Sequence, residues 1–140
     1  MANYIPIWRS NYFHVRDLAT FQQWVDSFDG NIDLVVEKEN DLTSAVALIQ
    51  SGQSETGIPT FRINPTTEEP EDCDFIQELG AHLCDGEVAI LQEVGYESRR
   101  YLASDAIAVR SDGKTITLSI NDIYPRVQSR WNLTATRAEF

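Results

Sequence analysis

The sequence predicts an α+β fold in which helices pack on one face of an antiparallel sheet. Two segments carry apolar residues at helical spacing, and several short segments carry the alternating or β-branched pattern of strands. An Asp-Gly pair follows each helical segment, in "SFDGNIDLVVE" and "LCDGEVAILQE". These matching stretches are compatible with two duplicated helix-plus-meander halves, or with Asp-Gly serving twice as a common helix stop. Both interpretations give a two-layer architecture in which the helices pack on one face of the antiparallel sheet.

The first half begins with a predicted strand at 10–15, "SNYFHV". Asp17 is a good N-cap for the helix that follows, because its carboxylate can accept a hydrogen bond from a free backbone N–H of the first turn. The apolar stripe of this helix consists of Leu18, Phe21, Trp24, Val25 and Phe28. Gly30 can adopt the left-handed conformation that ends it.

Three strands are predicted next, at 31–39, 43–49 and 58–63. In the first of them Ile32, Leu34 and Val36 alternate against Asp33 and Glu37, which is typical of a half-buried strand. An acidic loop at 65–74 then leads into the second helix.

The second helix has a buried face made of Phe75, Ile76, Leu79 and Leu83, and Gly80 weakens it. Strands are predicted at 87–94, 100–110 and 115–120, with Asp112-Gly113 as the turn between the last two. Asn121 or Asp122 caps a short last helix with Ile123, Val127 and Trp131 on one side. The prediction is a single α+β domain over 1–131 and a flexible C-terminal tail at 132–140.

The net charge of −11 is distributed very unevenly. Residues 1–62 carry eight acidic and four basic residues, residues 63–98 carry ten acidic and none basic, and residues 99–140 carry four acidic and seven basic. The middle segment therefore holds nearly all of the imbalance. Such a surface repels bare DNA, RNA and anionic membranes and attracts a basic partner.

The two cysteines, Cys73 and Cys84, are expected to be free thiols. On one helix they would lie about 16 Å apart, which is too far for a disulfide. Free thiols favour a reducing compartment. The N-terminus lacks the charged and apolar regions of a signal peptide, and the longest apolar run, 45–49, is too short to span a bilayer. We therefore expect a cytoplasmic protein.

No motif predicts an enzyme. Residues 52–57, "GQSETG", are one residue longer than a nucleophile elbow and precede a strand instead of a helix. They also lack the Lys-Ser/Thr of a phosphate-binding loop. Glu78 and His82 lie one turn apart and could face a metal ion, but no ligand from a second element is evident. We expect no enzymatic activity, no cofactor and no metal.

The acidic block has two interpretations, a solvated surface or a nucleic-acid mimic. Residues four apart on a helix advance about 6 Å, similar to neighbouring phosphates on a nucleic-acid strand. Carboxylates held in this way could occupy a cationic groove and release its counterions as DNA does. The predicted partner-binding residues are Glu68, Glu69, Glu71, Asp72, Asp74 and Glu78.

Three stretches, "RSNYFHVRDLATFQQWV", "ELGAHLCDGEVAILQEVGYESRRYLASDAIAVRSDGKT" and "SINDIYPRV", resemble a family of small acidic proteins of unknown activity from phages, plasmids and other mobile elements. The resemblance covers most of the chain but carries no catalytic or binding signature, so it implies a genomic setting and no site. In that setting small acidic proteins resemble anti-restriction and anti-CRISPR inhibitors. The C-terminal third, with its net charge of +3, departs from a uniform mimic.

The function predicted from the sequence is a non-enzymatic inhibitor whose acidic face blocks the basic groove of a host nuclease or CRISPR effector protein. It would contact no nucleic acid directly and no membrane. The alternative is an interaction or accessory module, such as an immunity protein or a homo-oligomer subunit, without nucleic-acid mimicry. This alternative predicts an exposed apolar surface, with Trp8, Tyr96 and Trp131 as candidates.

Overall fold

The computed structural model describes residues 4–52, 57–97 and 101–137. Within these ranges the strands are β1 (Tyr4–Ser10), β2 (Ile32–Lys38), β3 (Ser44–Gln50), β4 (Phe61–Ile63), β5 (Pro70–Asp72), β6 (Val88–Glu97), β7 (Tyr101–Arg110) and β8 (Thr115–Ser119). The helices are α1 (Leu18–Asp26), α2 (Phe75–His82) and α3 (Ile123–Trp131), and a 3-10 turn (Ile120–Asp122) precedes α3.

Six strands form one antiparallel sheet in the order β2-β3-β1-β6-β7-β8. Strand β1 therefore lies between the β2–β3 hairpin, which follows α1 in the chain, and the β6–β7–β8 meander, which follows α2. Strands β2 and β8 are the two edges of the sheet, while β4 and β5 form a separate hairpin. The predicted α+β class with an antiparallel sheet is confirmed.

Helices α1 and α2 pack on one side of this sheet, which we call the covered face. The ring centroid of Trp8 on β1 lies 5.9 Å from that of Phe75 on α2, and Phe75 lies 4.9 Å from Trp24 on α1. The buried cluster consists of Trp8, Phe13, Phe21, Val25, Phe28, Ile32, Val46, Leu48, Phe75, Leu79, Leu83, Ala89, Leu91 and Val109. One sheet face and two helices thus make the core.

The opposite side of the sheet, which we call the open face, follows from strand alternation and register. Its apolar members are Ile5, Ile7, Val35, Ala45, Ala47, Ile49, Val88, Ile90, Val94, Tyr96, Leu102, Ala106, Ala108, Ile116 and Leu118. Its polar and charged members are Arg9, Asp33, Glu37, Gln92, Ser104 and Arg110. Neither α1 nor α2 packs on this side.

The N-cap predicted for α1 is confirmed, and α2 has an N-cap that the sequence analysis did not name. The carboxylate of Asp17 accepts a hydrogen bond from the backbone N–H of Thr20 at 3.1 Å, and Asp74 accepts one from Gln77 at 3.2 Å. Gly30 has the expected left-handed φ of +75°, but the predicted end of the helix is wrong, because α1 ends at Asp26 with Ser27 as its C-cap and Gly30 lies in the turn that follows.

The first predicted strand, at 10–15, is wrong. The strand is Tyr4–Ser10, and beyond it Phe13 and Val15 form only isolated bridges. Pro6 lies inside β1, although proline has no N–H to donate to a strand ladder. The carbonyl of Pro6 accepts a hydrogen bond from the Gln50 side chain. On that side of β1 the ladder to β3 pairs Arg9 with Ile49 and does not include Pro6, so the missing N–H leaves no ladder bond unmade.

The acidic segment predicted as a loop at 65–74 is also partly wrong, because Pro70–Asp72 pairs with Phe61–Ile63. The predicted strand at 58–63 is correspondingly shorter. The remaining turn is fixed by Asn64, whose side chain accepts hydrogen bonds from the backbone of Thr66 at 2.8 Å and Thr67 at 3.2 Å. The acidic block therefore begins on a structured hairpin.

The last predicted helix is confirmed as α3 with Asp122, one of the two predicted candidates, as its N-cap residue, but the Asp122 side chain makes no capping hydrogen bond to α3. Ser119 caps the preceding 3-10 turn by accepting from the N–H of Asn121 at 3.2 Å, and Asp122 accepts from the N–H of Ser119 at 2.9 Å. In the segment predicted as a tail, Thr134 donates to Gln128 at 2.8 Å and the Arg137 guanidinium lies 4.5 Å from the Tyr124 ring centre. The described part of this segment thus contacts α3.

Candidate functional site

The six acidic residues predicted as a site lie on the β4–β5 hairpin and at the start of α2. Glu68 and Glu69 are in the hairpin turn, Glu71 and Asp72 are on β5, Asp74 is the N-cap of α2, and Glu78 is in its first turn. The structure therefore places them on two adjoining elements. They differ, however, in what holds each carboxylate.

Two of these carboxylates are bound internally by Arg62, the last cation before the acidic block. The Nε of Arg62 donates to Glu71 at 3.0 Å, and its Nη1 donates to Glu78. The Asn64 amide also donates to Glu71 at 2.8 Å, and this bond together with Arg62 lowers the pKa of Glu71. Arg62 thus joins both hairpin strands to α2.

A third member of the set also has an internal role, since Asp74 caps α2. Glu78 accepts a further hydrogen bond, from the Trp24 indole at 3.0 Å, which connects it to the core. Glu68, Glu69 and Asp72 are exposed and form no ion pair with another described residue. These three carboxylates are the part of the predicted site that is available to a partner.

The Glu78–His82 pair is not arranged as a metal site. The His82 ring packs against Phe21 and Trp24, with centroid distances of 5.4 and 5.1 Å, and burial lowers its pKa. Among the residues that the structure describes, no three His, Cys, Asp or Glu side chains lie close enough together to hold a metal. His82 belongs to the aromatic core.

His14 has carboxylate partners that the sequence analysis missed. Its Nε2 lies 2.6 Å from Glu39 and its Nδ1 lies 2.6 Å from Glu87. Hydrogen bonds to Glu39 and then Glu87 raise the pKa of His14. These partners are 25 and 73 residues away in the chain, so no local pattern could have indicated them.

The open face is a second candidate surface, and strand β8 gives the clearest sign of it. Thr115 and Thr117 point to the covered face, whereas Ile116 and Leu118 point to the open face and are 76% and 55% exposed. A half-buried edge strand normally has the reverse arrangement, with its apolar residues towards the helices. The apolar side of β8 therefore faces away from the core of its own chain.

A cleft of about 720 Å³ lies between the open face and the start of α3. Its lining includes Ile7, Val94, Ala106 and Leu118 from the sheet and Ile123 and Arg126 from α3. Tyr96 and Trp131 are exposed, as the interaction-module hypothesis expected, but Trp8 is only 2% exposed and that part of the expectation is wrong. Trp8 alternates onto the covered face.

Comparison with known proteins adds no family to this description. The chain matches no protein-family model, no curated protein and no solved structure. No helix in the described ranges has the length and apolar character needed to cross a membrane.

Proposed function

We propose that this protein acts by binding other proteins and not by catalysis, and that the open face is its main binding surface. The observation that carries the proposal is the inverted β8, whose isoleucine and leucine lie on the side opposite α1 and α2. Burial of one such side chain by a partner contributes roughly 1.5–3 kcal/mol. Exposed apolar side chains grouped on one face of a sheet are typical of a protein interface.

The rest of the open face supports the same function. Ile7, Val94 and Leu102 continue the exposed apolar surface across β1, β6 and β7. The central positions carry few charges, as the cores of protein interfaces do. In this proposal the protein is an interaction or accessory module, the alternative that the sequence left open.

A second candidate function rests on the β4–β5 hairpin. Glu68, Glu69 and Asp72 are held on a structured hairpin in a protein of net charge −11. Such a surface suits the basic groove of a host nuclease or CRISPR effector, in keeping with the mobile-element setting that the resemblance implies. Attraction of this kind mainly speeds association and weakens with salt.

One binding experiment separates the two functions. The tagged protein, an open-face variant (Ile116→Lys with Leu118→Lys) and a hairpin variant (Glu68→Lys, Glu69→Lys and Asp72→Lys) are exposed to the same bacterial lysate. Each is washed first at low salt and then at about 1 M salt, where the screening length is about 3 Å. Circular dichroism checks that all three are folded.

The proposal expects a protein that survives the high-salt wash on the native form and the hairpin variant and is absent from the open-face variant. A protein released by salt and absent from the hairpin variant would instead support the acidic inhibitor. Equal retention by all three forms, or by none, would contradict both functions.

A further inference from the structure

The helix α3 has an apolar stripe that its own chain leaves largely exposed, with Ile123 at 56% and Trp131 at 70% exposure and Val127 partly buried. Ile123, Val127 and Trp131 are spaced at i, i+4 and i+8, and no residue of α3 is buried. Its main packing partner among the described elements is the 3-10 turn that precedes it. Since an isolated helix of nine residues is marginal in water, such a helix needs an apolar surface to pack on.

The open face carries exposed apolar side chains on β1, β6, β7 and β8, whereas Ala45 and Ala47 on β3 are already buried within the chain. Strand β8 leads directly into α3, which stands beside the open face and leaves the cleft between them unfilled. One chain thus presents both an unpacked amphipathic helix and an unpacked apolar sheet. Two copies related by a two-fold axis would satisfy both surfaces twice, because each copy would supply the helix that the other needs.

The charge distribution favours a second copy as the occupant. On β6 and β7, Glu93, Glu97 and Asp105 all alternate onto the covered face. In the described strands, the acidic residues of the open face are Asp33 and Glu37, both on the edge strand β2. Chains of net charge −11 repel one another wherever acidic surfaces meet. A face with acids at one edge alone is therefore the side on which this chain can stack with itself.

The basic residues of α3 complement that acidic edge. Arg126 and Arg130 lie one turn apart, and α3 contains no acidic residue. Because β2 and β8 are opposite edges, a two-fold axis between two stacked sheets, parallel to their strands, places the β8 edge of one copy over the β2 edge of the other. This operation brings α3 of each copy to Asp33 and Glu37 of its partner.

We propose that the protein forms a symmetric dimer in which two open faces stack and each α3 covers the β2 side of the other copy. Arg126 and Arg130 of one copy then pair with Asp33 and Glu37 of the second. This inference rests on the proposed function, because it takes the open face as a binding surface. It adds the identity of the occupant and the orientation.

The area is sufficient for such a dimer. Six strands at about 4.8 Å spacing and about 20 Å length give roughly 480 Å² of flat sheet per copy. Two copies bury about 960 Å² from the flat sheets alone, close to the roughly 1,000 Å² that a biological interface should exceed, and side-chain relief and the two helices add to this area. The second copy therefore offers an interface of ordinary size.

Charge exchange tests both the partner and the orientation. Light scattering and sedimentation equilibrium give the molar mass and the dimer dissociation constant of the native protein. One variant carries Asp33→Arg and Glu37→Arg, a second carries Arg126→Glu and Arg130→Glu, and a third carries all four changes. A Glu68→Lys and Glu69→Lys variant is the control, because those residues lie on the hairpin, outside the interface.

We expect the native protein to be a dimer. Each two-residue exchange should raise the dimer dissociation constant at least about tenfold, and the four-residue variant should recover the dimer. The control should dimerise at least as well as the native protein. Leu118→Lys should also dissociate the dimer, and the exchange variants keep the proposal testable if that variant fails to fold.

A native protein that stays monomeric at about 100 μM would overturn the inference. So would a dimer that Leu118→Lys dissociates but the charge exchanges leave unchanged, because that result excludes the α3-over-β2 orientation. The failure of the inference can be told from the failure of the proposed function. A monomer whose salt-resistant partner depends on Ile116 and Leu118 keeps the function and rejects the dimer.

Discussion

The Nε of Arg62 lies 3.0 Å from a carboxylate oxygen of Glu71, and this ion pair connects β4 to β5 while the same guanidinium reaches Glu78 on α2. The Arg62 side chain is partly buried, with 25% of it exposed, so solvent screens these contacts less than it screens a fully exposed pair. A single arginine thus anchors the acidic hairpin to the helical layer.

Removing that arginine should destabilise the protein. We expect Arg62→Ala to lower the free energy of unfolding by about 1–2 kcal/mol, because two carboxylates lose a charged hydrogen-bond donor. Urea unfolding measures the change. Arg110→Ala is the matched control, since Arg110 pairs with Asp112 on the surface and its loss should cost less. Equal losses in the two variants would contradict the anchoring role of Arg62.

Replacing Gly80 should reveal how tightly α2 approaches β7. A Cβ at this position would lie 2.9 Å from both the carbonyl oxygen of Arg110 and a methyl group of Val109. Glycine to alanine usually stabilises a helix by about 1 kcal/mol. Here we expect Gly80→Ala to destabilise by about 1–3 kcal/mol in a thermal or urea melt, because the helix must move away.

The exposed neighbour Ala81 provides the control for that measurement. Ala81→Gly should cost about 1 kcal/mol, the ordinary penalty for glycine inside a helix. Gly80→Ala and Ala81→Gly would then both lower the stability, although one removes a glycine and the other introduces one. A stabilised Gly80→Ala variant would show that α2 can shift without loss.

The pH dependence of stability should report the two histidines separately. Glu39 and Glu87 raise the pKa of His14 above 6.5, so its stabilising contribution is full below pH 6.5 and is lost as the pH rises through the raised value. Burial lowers the pKa of His82, so its contribution is full above pH 6.5 and declines as the pH falls. The two effects oppose each other.

His14→Gln removes the contribution of His14, which stabilises the folded protein at acidic pH. Between about pH 8 and pH 6, its stability should fall more steeply than that of the native protein, because the His82 effect is then unopposed. Urea melts at several pH values give this slope. Parallel curves for native protein and variant would show that His14 gains nothing from its two carboxylates.

Tryptophan fluorescence offers a direct check on the position of α3. Trp131 is 70% exposed in the single chain, whereas Trp8 is buried. If a second copy covers α3, acrylamide quenching should decrease as the protein concentration rises through the dimer dissociation constant. Trp131→Phe should remove most of this dependence. Quenching that is independent of concentration in the native protein would place Trp131 in solvent in every state.

Local patterns in the sequence predicted the helices well. Asp17 and the apolar stripe of α1 specified a helix through contacts within a few residues. The alternation of Ile32, Leu34 and Val36 likewise predicted β2; Ile32 and Leu34 pack in the core, whereas Val36 is exposed. These elements were predictable because capping and periodicity are properties of neighbouring residues.

The errors arose where distant residues decide the structure. The strand β1 was not predicted, and the side chain of Gln50, which binds the carbonyl of Pro6 on β1, is 44 residues away. Arg62 was read as the boundary of the acidic block, yet it binds two carboxylates inside that block. The open face was missed because the alternation on β8 indicates only that one side of the strand is apolar. It does not indicate whether that side faces the helices.

The open face has a consequence for the fate of the chain in a cell. A newly made copy without its binding partner displays an apolar surface of the kind that chaperones and proteases recognise. We expect such orphan copies to be degraded faster than assembled ones. The steady-state level of the protein would then follow the amount of whatever covers that face, so its abundance would be set by assembly as well as by synthesis.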